Sequence, residues 1–223
     1  MNGLGDPAVR INVRPLANPL PLGLFAFGIG MLMLAAQTAG WVPIGEARQV
    51  GLLIASFVFL LEGFAMILAA LARDTLAATI LGLFTTSWLA LGLQLMVGKP
   101  GVTSHAVGFF LLAFAGPIIS LAVLAASGKP LIAVVLSLSA ARAILDGLYQ
   151  VTGTTALEHA AGYVAAVIAG VAWYAGTAMA LEDTRQRAVL PVLRRGAGAS
   201  AMAGGLERQL EHAIGEAGVR EQL

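Results

Sequence analysis

The chain has 223 residues, of which 58% are apolar and only 11% charged, and its mean hydropathy is +0.86. A water-soluble domain carries about 25% charged residues, so this composition excludes a disordered chain, a nucleic-acid binder and an ordinary cytosolic enzyme. Thirteen Lys and Arg against 12 Asp and Glu leave a net charge of +1, too little to select a partner. The absence of cysteine removes disulfides, thiolate metal sites and a cysteine nucleophile. Lipid is the expected solvent for most of this chain, and the bilayer its first partner.

A bilayer core of about 30 Å takes about 20 mostly apolar residues in a helix, with every backbone polar group paired internally. Six stretches qualify: Leu22–Gly40, Val50–Ala72, Leu76–Val97, Val107–Ser127, Leu131–Gln150 and Ala160–Leu181. The breaks are Trp41-Val42-Pro43, Arg73-Asp74, Gly98-Lys99-Pro100-Gly101, Gly128-Lys129-Pro130 and Thr152-Gly153-Thr154. Two of them, at Arg73-Asp74 and Gly128-Lys129-Pro130, are so short that helices 2/3 and 4/5 form antiparallel hairpins. The first run follows a polar arm and precedes five more spans, so it is expected to be a membrane helix and not a cleaved signal. The fold class is an all-α integral membrane protein of six transmembrane helices.

Arg10, Arg14, Arg73, Lys129, Arg185, Arg187, Arg194 and Arg195 fall on one side of these spans, and only Arg48 and Lys99 on the other. The positive-inside rule then places both termini in the cytoplasm, and an even number of spans agrees. The expected organisation is a cytoplasmic arm (1–17), a six-helix domain (18–192) and a flexible cytoplasmic tail (193–223). In that tail Leu206, Leu210 and Ile214 make a short amphipathic pattern, which reads as a frayed solvated segment or as a docking element.

Small residues let helices approach closely in lipid. Helix 3 carries Ala78, Gly82, Thr86 and Ala90 at four-residue spacing; helix 6 carries Gly162, Ala166 and Gly170 beside Ala161, Ala165 and Ala169. Both faces are expected at helix contacts, within the subunit or between subunits.

Ionisable groups inside spans are costly and functional by default. Glu62 lies in the middle of helix 2, and Arg142 and Asp146 lie one turn apart on helix 5, where they share a face. Gln37, Thr38, Thr85, Thr86, Ser87, Gln94 and Ser139 add neutral hydrogen-bonding groups. Arg142–Asp146 reads in two ways: an ion pair that glues the bundle, which we favour from sequence, or a pore-lining group for an anion. Glu62 is favoured as pore-facing. An enzyme is not expected. The chain has no HExxH or GxSxG motif, its His105 and His159 fall at helix ends, and no cofactor or metal site is foreseen.

The start of helix 1 is distinctive. Asn18-Pro19-Leu20-Pro21-Leu22-Gly23-Leu24 sets two prolines where missing N–H groups cost nothing, and Asn18 can cap the freed amides. Gly23 and Gly28 then remove side chains. The helix's positive end faces the cytoplasmic mouth, where it can attract a weak anion.

This segment, with Phe27-Gly28, resembles the signature of the acetate uptake transporter (AceTr) family, the succinate–acetate permeases. The likeness extends from Asn18 to Val192 through Phe84-Thr85-Thr86-Ser87-Trp88, His159-Ala160-Ala161-Gly162-Tyr163 and Arg187-Ala188-Val189-Leu190-Pro191. The resemblance implies a homo-oligomer, a hexameric ring with one pore per subunit for acetate and related small carboxylates such as succinate, in the cell membrane. It implies an apolar constriction from helices 1, 3 and 5, whose positions fall on Phe27, Phe84 and Leu138. Phe84 stands where a tyrosine is usual, Glu62 where a glutamine is, and Gln37-Thr38 where a His-Asn pair is. Arg142 and Asp146 stand in a usually apolar helix 5. A membrane sensor or assembly protein of the same fold, or a channel for ammonium or water, are the alternatives.

Overall fold

The computed structural model describes residues 16–185 and 187–195. The arm with Arg10 and Arg14, and the tail from Gly196 with its amphipathic pattern, lie outside the described residues. Among the described residues are six helices long and apolar enough to cross a membrane. They are α1 (Leu20–Thr38), α2 (Ile44–Leu71), α3 (Thr75–Val97), α4 (His105–Ala126), α5 (Pro130–Thr152) and α6 (Thr155–Arg185). The six apolar runs thus each become one helix.

Side-chain caps mark the starts of α1, α3 and α4. Asn18 Oδ1 accepts the Leu20 amide at 3.1 Å, Asp74 Oδ1 that of Ala77 at 3.0 Å, and Ser104 Oγ that of Val107 at 3.4 Å. Each satisfies an orphan N–H of a first turn. The α5 helix stops at Gly153, whose φ of 71° is the left-handed conformation that glycine adopts without strain. The last helix, α6, overruns its apolar stretch at both ends. Glu158 in its first turn and Arg185 in its last suit the helix dipole.

The short turns make α2–α3 and α4–α5 antiparallel hairpins, as their length demands. Between the hairpins α1 packs along α6, with α2 flanking α1 and α5 flanking α6, and α3 meets α4 only lightly. The helices thereby close a ring around an interior bounded by α1, α3, α4 and α5. One end of the ring, here the terminal end, gathers Asn18, both hairpin turns and the segment after α6. There Lys129 Nζ meets Asp74 Oδ2 at 2.6 Å and ties the two turns together. The segment after α6 folds back onto this end. Arg194 meets the buried Glu182 at 2.6 Å, the Tyr174 hydroxyl donates to the Pro191 carbonyl at 3.0 Å, and the Arg195 amide donates to the Gly128 carbonyl at 3.2 Å. Arg194 and Arg195, read from sequence as the beginning of a loose tail, are held on the bundle.

Each hairpin closes on a reciprocal glycine contact that sequence reading did not single out. A Cβ built on Gly51 would stand 2.5 Å from the Gly92 carbonyl oxygen, and one on Gly92 would stand 2.7 Å from that of Gly51. Gly108 and Gly147 repeat the arrangement between α4 and α5, at 2.9 and 3.0 Å. The small-residue stripe on α3 turns half outward in the subunit: Thr86 and Ala90 are exposed, and Ala78 and Gly82 half-buried. The face of α3 that packs is the one bearing Ala77, Leu81, Phe84, Trp88 and Gly92. Hydropathy cannot choose between faces when lipid is as apolar as the core. On α6 the Ala161, Ala165 and Ala169 row is buried, as is Gly162 against Thr38 and Ala39, while Gly170 is exposed.

In α2 the residues Ile54–Val58 form a wide π-turn. Ile54, Val58 and Glu62 follow one another at four-residue spacing, which drifts by about 40° per step around an ideal α-helix. The wider turn absorbs that drift and keeps all three on the buried face.

Gly92→Val is expected to destabilise the subunit by about 1–3 kcal/mol through overpacking. Gly170→Ala, which meets nothing within 4 Å, should be neutral or slightly stabilising. Thermal unfolding in detergent reads both, and equal effects would remove the glycine contact as the hairpin's closure.

Candidate functional site

Four cavities follow one another through the ring, and consecutive ones share lining residues. The first, about 150 Å³, opens at the terminal end among Asn18, Asp74, Lys129, Ile132 and Arg194. The second, about 30 Å³, shares Leu20 and Ile132 with it and is apolar except for Glu62. The third, about 20 Å³, shares Phe84 with the second and contains Ser87, Trp88, Ser139 and Arg142. The fourth, about 120 Å³, shares Leu34, Leu91 and Arg142 with the third and opens at the other end. It holds Gln37, Thr38, Gln94, Lys99, Asp146, Tyr149 and Glu158.

Two helices, α1 and α5, supply walls to every cavity, and α3 to all but the first, which its N-cap Asp74 borders, because each presents one face inward along its length. On α1 the lining passes from Asn18 through Leu24 and Phe27 to Met31, Leu34 and Gln37. On α5 it passes from Ile132 through Val135 and Leu136 to Ser139, Arg142 and Asp146. On α3 it runs from Asp74 through Ile80 and Phe84 to Ser87, Leu91 and Gln94.

The central pair of cavities is divided by aromatic rings. Phe27 and Phe84 meet edge to face with centroids 4.8 Å apart; Trp88 backs Phe27 at 5.8 Å and Phe114 backs Phe84 at 5.4 Å. Each central cavity has room for about one or two waters, less than an organic anion requires. The structure is therefore closed to an organic anion at this point, where the two rings stand between the cavities.

Unpaired polar atoms collect along the same line. Gln37 Oε1, Glu62 Oε2, Thr85 Oγ1, Trp88 Nε1 and Arg142 Nε are the described buried side-chain polar atoms without a partner. All but Thr85 belong to cavity-lining residues. Elsewhere in a native core such atoms are rare, and here four of the five border the line of cavities. Glu62 is 1% exposed, and its neighbour is the Trp88 indole, though neither Oε2 nor Nε1 completes a hydrogen bond. Arg142 is 3% exposed and donates from Nη2 to Asp146 Oδ2 at 3.1 Å. The helical pairing foreseen for these two residues is present. Among the described residues no group of His, Asp and Glu could hold a metal.

The structure sorts the sequence candidates. Asn18, Gly23, Phe27, Gln37, Thr38, Glu62, Phe84, Ser87, Arg142 and Asp146 line the path. Leu138 is half-buried against the core beside the α5 lining face and is not among the cavity-lining residues, a position that Leu136 and Ser139 take. Pro19 and Pro21 shape the start of α1. A Cβ on Gly28 would meet the Trp173 indole of α6 at 2.4 Å, so this glycine serves helix packing. Thr85 is buried, whereas Thr86 is exposed with its hydroxyl turned back to the Gly82 and Leu83 carbonyls. Sequence reading passed over Phe114, Tyr149 and Glu158. Tyr149 stands one turn beyond Asp146 on the same face of α5, and that spacing was a usable signal.

A six-helix membrane bundle with an interrupted polar path along its axis defines a protein of the transporter and channel class. The chain belongs to the GPR1/FUN34/yaaH family, whose model matches residues 3–194. It is 27% identical over 186 residues to the succinate-acetate/proton symporter SatP of Escherichia coli K12, covering 79% of this chain and 95% of that one. It is 26% identical over 191 residues to an uncharacterized protein of Methanothermobacter thermautotrophicus, covering 78% of this chain and 90% of that one. A solved structure described as that of the bacterial acetate channel SatP superposes with a TM-score of 0.70 at 21% identity. It covers 79% of this chain and 99% of that chain, and shows the fold to be shared.

Glu62→Leu is expected to stabilise the subunit by about 1–3 kcal/mol, because it removes an unpartnered polar atom from a buried site at similar volume. A lower melting temperature in detergent would show instead that the carboxyl is held by a partner.

Proposed function

We propose that this protein carries acetate and related small carboxylates, succinate among them, across the cell membrane through the path within each subunit. The line of cavities along α1, α3 and α5, narrowest in the two central ones on either side of Phe27 and Phe84, carries this reading. Family membership supports it, and so does the E. coli relative described as a succinate-acetate/proton symporter. Nothing in the reading calls for chemistry on the solute or for a cofactor.

The constriction is Phe27 with Phe84, with Leu138 supporting it from the flank of α5. An apolar neck of this kind blocks ions by excluding water, and its barrier falls steeply as it widens. The terminal end faces the cytoplasm, since Arg73, Lys129, Arg185, Arg187, Arg194 and Arg195 gather there. The subunit assembles as a homo-oligomer, a hexameric ring. The exposed Leu60, Phe64 and Ile67 of α2 and Phe109, Ile119 and Val123 of α4 supply apolar surface for partner subunits and lipid.

Uptake of labelled acetate into proteoliposomes, with and without an inward proton gradient, tests the reading. Wild-type protein should exceed empty liposomes severalfold; equality with empty liposomes would leave a sensor or assembly role. Phe84→Ala should raise acetate flux or admit succinate more readily, and Leu138→Ala should do so more weakly. Unchanged flux and selectivity in a correctly inserted Phe84→Ala protein would take the aromatic pair out of the gate.

A further inference from the structure

The outer cavity contains more than an ion pair. A guanidinium has five N–H donors and no acceptor. In Arg142 one donor is spent, on a single Asp146 oxygen at 3.1 Å, and Nε is buried without a partner. An ion pair made only to glue helices would have its polar atoms matched, since each unmatched one weakens the glue. Arg142 also lines both the outer cavity and the small one beneath it, so its side chain borders the space that a solute must cross to reach Phe27 and Phe84. Gln37, which lines the same outer cavity, has a second buried atom without a partner.

We propose that Arg142 is the carboxylate-binding group of the path, and that Asp146 is its resting counter-charge. The outer cavity, at about 120 Å³, holds a small carboxylate against the guanidinium of Arg142, while Asp146, which lines the same cavity, keeps hold of Nη2. Arginine suits this role because its planar fork matches a carboxylate's two oxygens and it stays charged. Asp146 also limits the affinity. An anion entering the cavity shares its cation with a carboxylate already there, so it binds strongly enough to enter and weakly enough to leave. The ligand class is a small organic carboxylate. Spherical anions such as chloride lack the two acceptor oxygens that the fork matches and are held less well.

This inference rests on the transport reading for its meaning but is tested by binding. Direct binding of labelled acetate to purified protein in detergent is measured alongside uptake into proteoliposomes. The proteins compared are wild type, Arg142→Lys, Asp146→Asn and the double change Arg142→Gln with Asp146→Asn, with chloride as the control anion. The double change removes both charges together and avoids a stranded ion. It should weaken acetate binding at least tenfold and raise the half-saturating concentration for uptake in step. Arg142→Lys should fall between it and wild type. Should the double variant fail to fold, Asp146→Asn decides: acetate should raise its melting temperature more than that of wild type, and chloride should not. Acetate binding unchanged in the double variant, or no acetate-specific rescue of Asp146→Asn, overturns the site. Wild type that binds acetate but moves none would contradict the transport reading and leave this site standing. Wild type that moves acetate, with a double variant of unchanged half-saturation, does the reverse.

Discussion

Hydrocarbon offers no hydrogen bonds, so a buried guanidinium survives there only where protein or water meets it. That constraint organises the molecule around Arg142. The side chain must point into the ring, Asp146 must stand one turn away to meet it, and α5 must be the most buried of the six spans, which it is. The other ring elements follow. The α1 and α3 helices present Gln37, Ser87 and Gln94 on the inward face, and their outward faces are left to lipid-compatible side chains.

The second constraint is continuity. A path that admits polar solute through a bilayer must also refuse to be an open hole, and in the proposed function the two demands meet at Phe27 and Phe84, whose rings touch. Polar character increases away from that pair in one direction, through Ser87, Ser139 and Arg142 to the outer cavity. In the other direction an apolar chamber with Glu62 gives way to Asn18, Asp74, Lys129 and Arg194. The terminal-end groups are fixed by their own pairing, Lys129 with Asp74 and Arg194 with Glu182. Their positions therefore depend on the two hairpin turns and on the segment that folds back after α6.

Much of this was legible in the sequence. Run length fixed the six spans, linker length fixed two hairpins, and spacing put Arg142 and Asp146 on one face. Asn18 as a cap and Phe27 with Phe84 as neighbours also came through, the second pair from family resemblance. What hydropathy left open depends on which face of an apolar helix turns inward. Within the subunit α2 and α3 close on Gly51 and Gly92, while the stripe from Ala78 to Ala90 turns half outward. Leu138 falls beside the lining face because the inward face of α5 is set by Ser139, Arg142 and Asp146. The π-turn that keeps Glu62 inward leaves no mark in hydropathy. Nor does an unpartnered Nε, which is a fact of three dimensions alone.

The central claim is one path along α1, α3 and α5, interrupted at Phe27 and Phe84. The chain's lack of cysteine makes a direct measurement clean: single cysteines at Ile132 and Leu91, which border the two larger end cavities, with the exposed Val134 as control, probed by a small charged thiol reagent added to either side of the membrane. The Ile132→Cys protein is expected to react from the terminal-end side only and the Leu91→Cys protein from the opposite side only. Acetate should slow both reactions, and the Val134→Cys protein should stay unlabelled in lipid. Labelling of both positions from one side, or of neither while the Val134→Cys protein reacts, would contradict it.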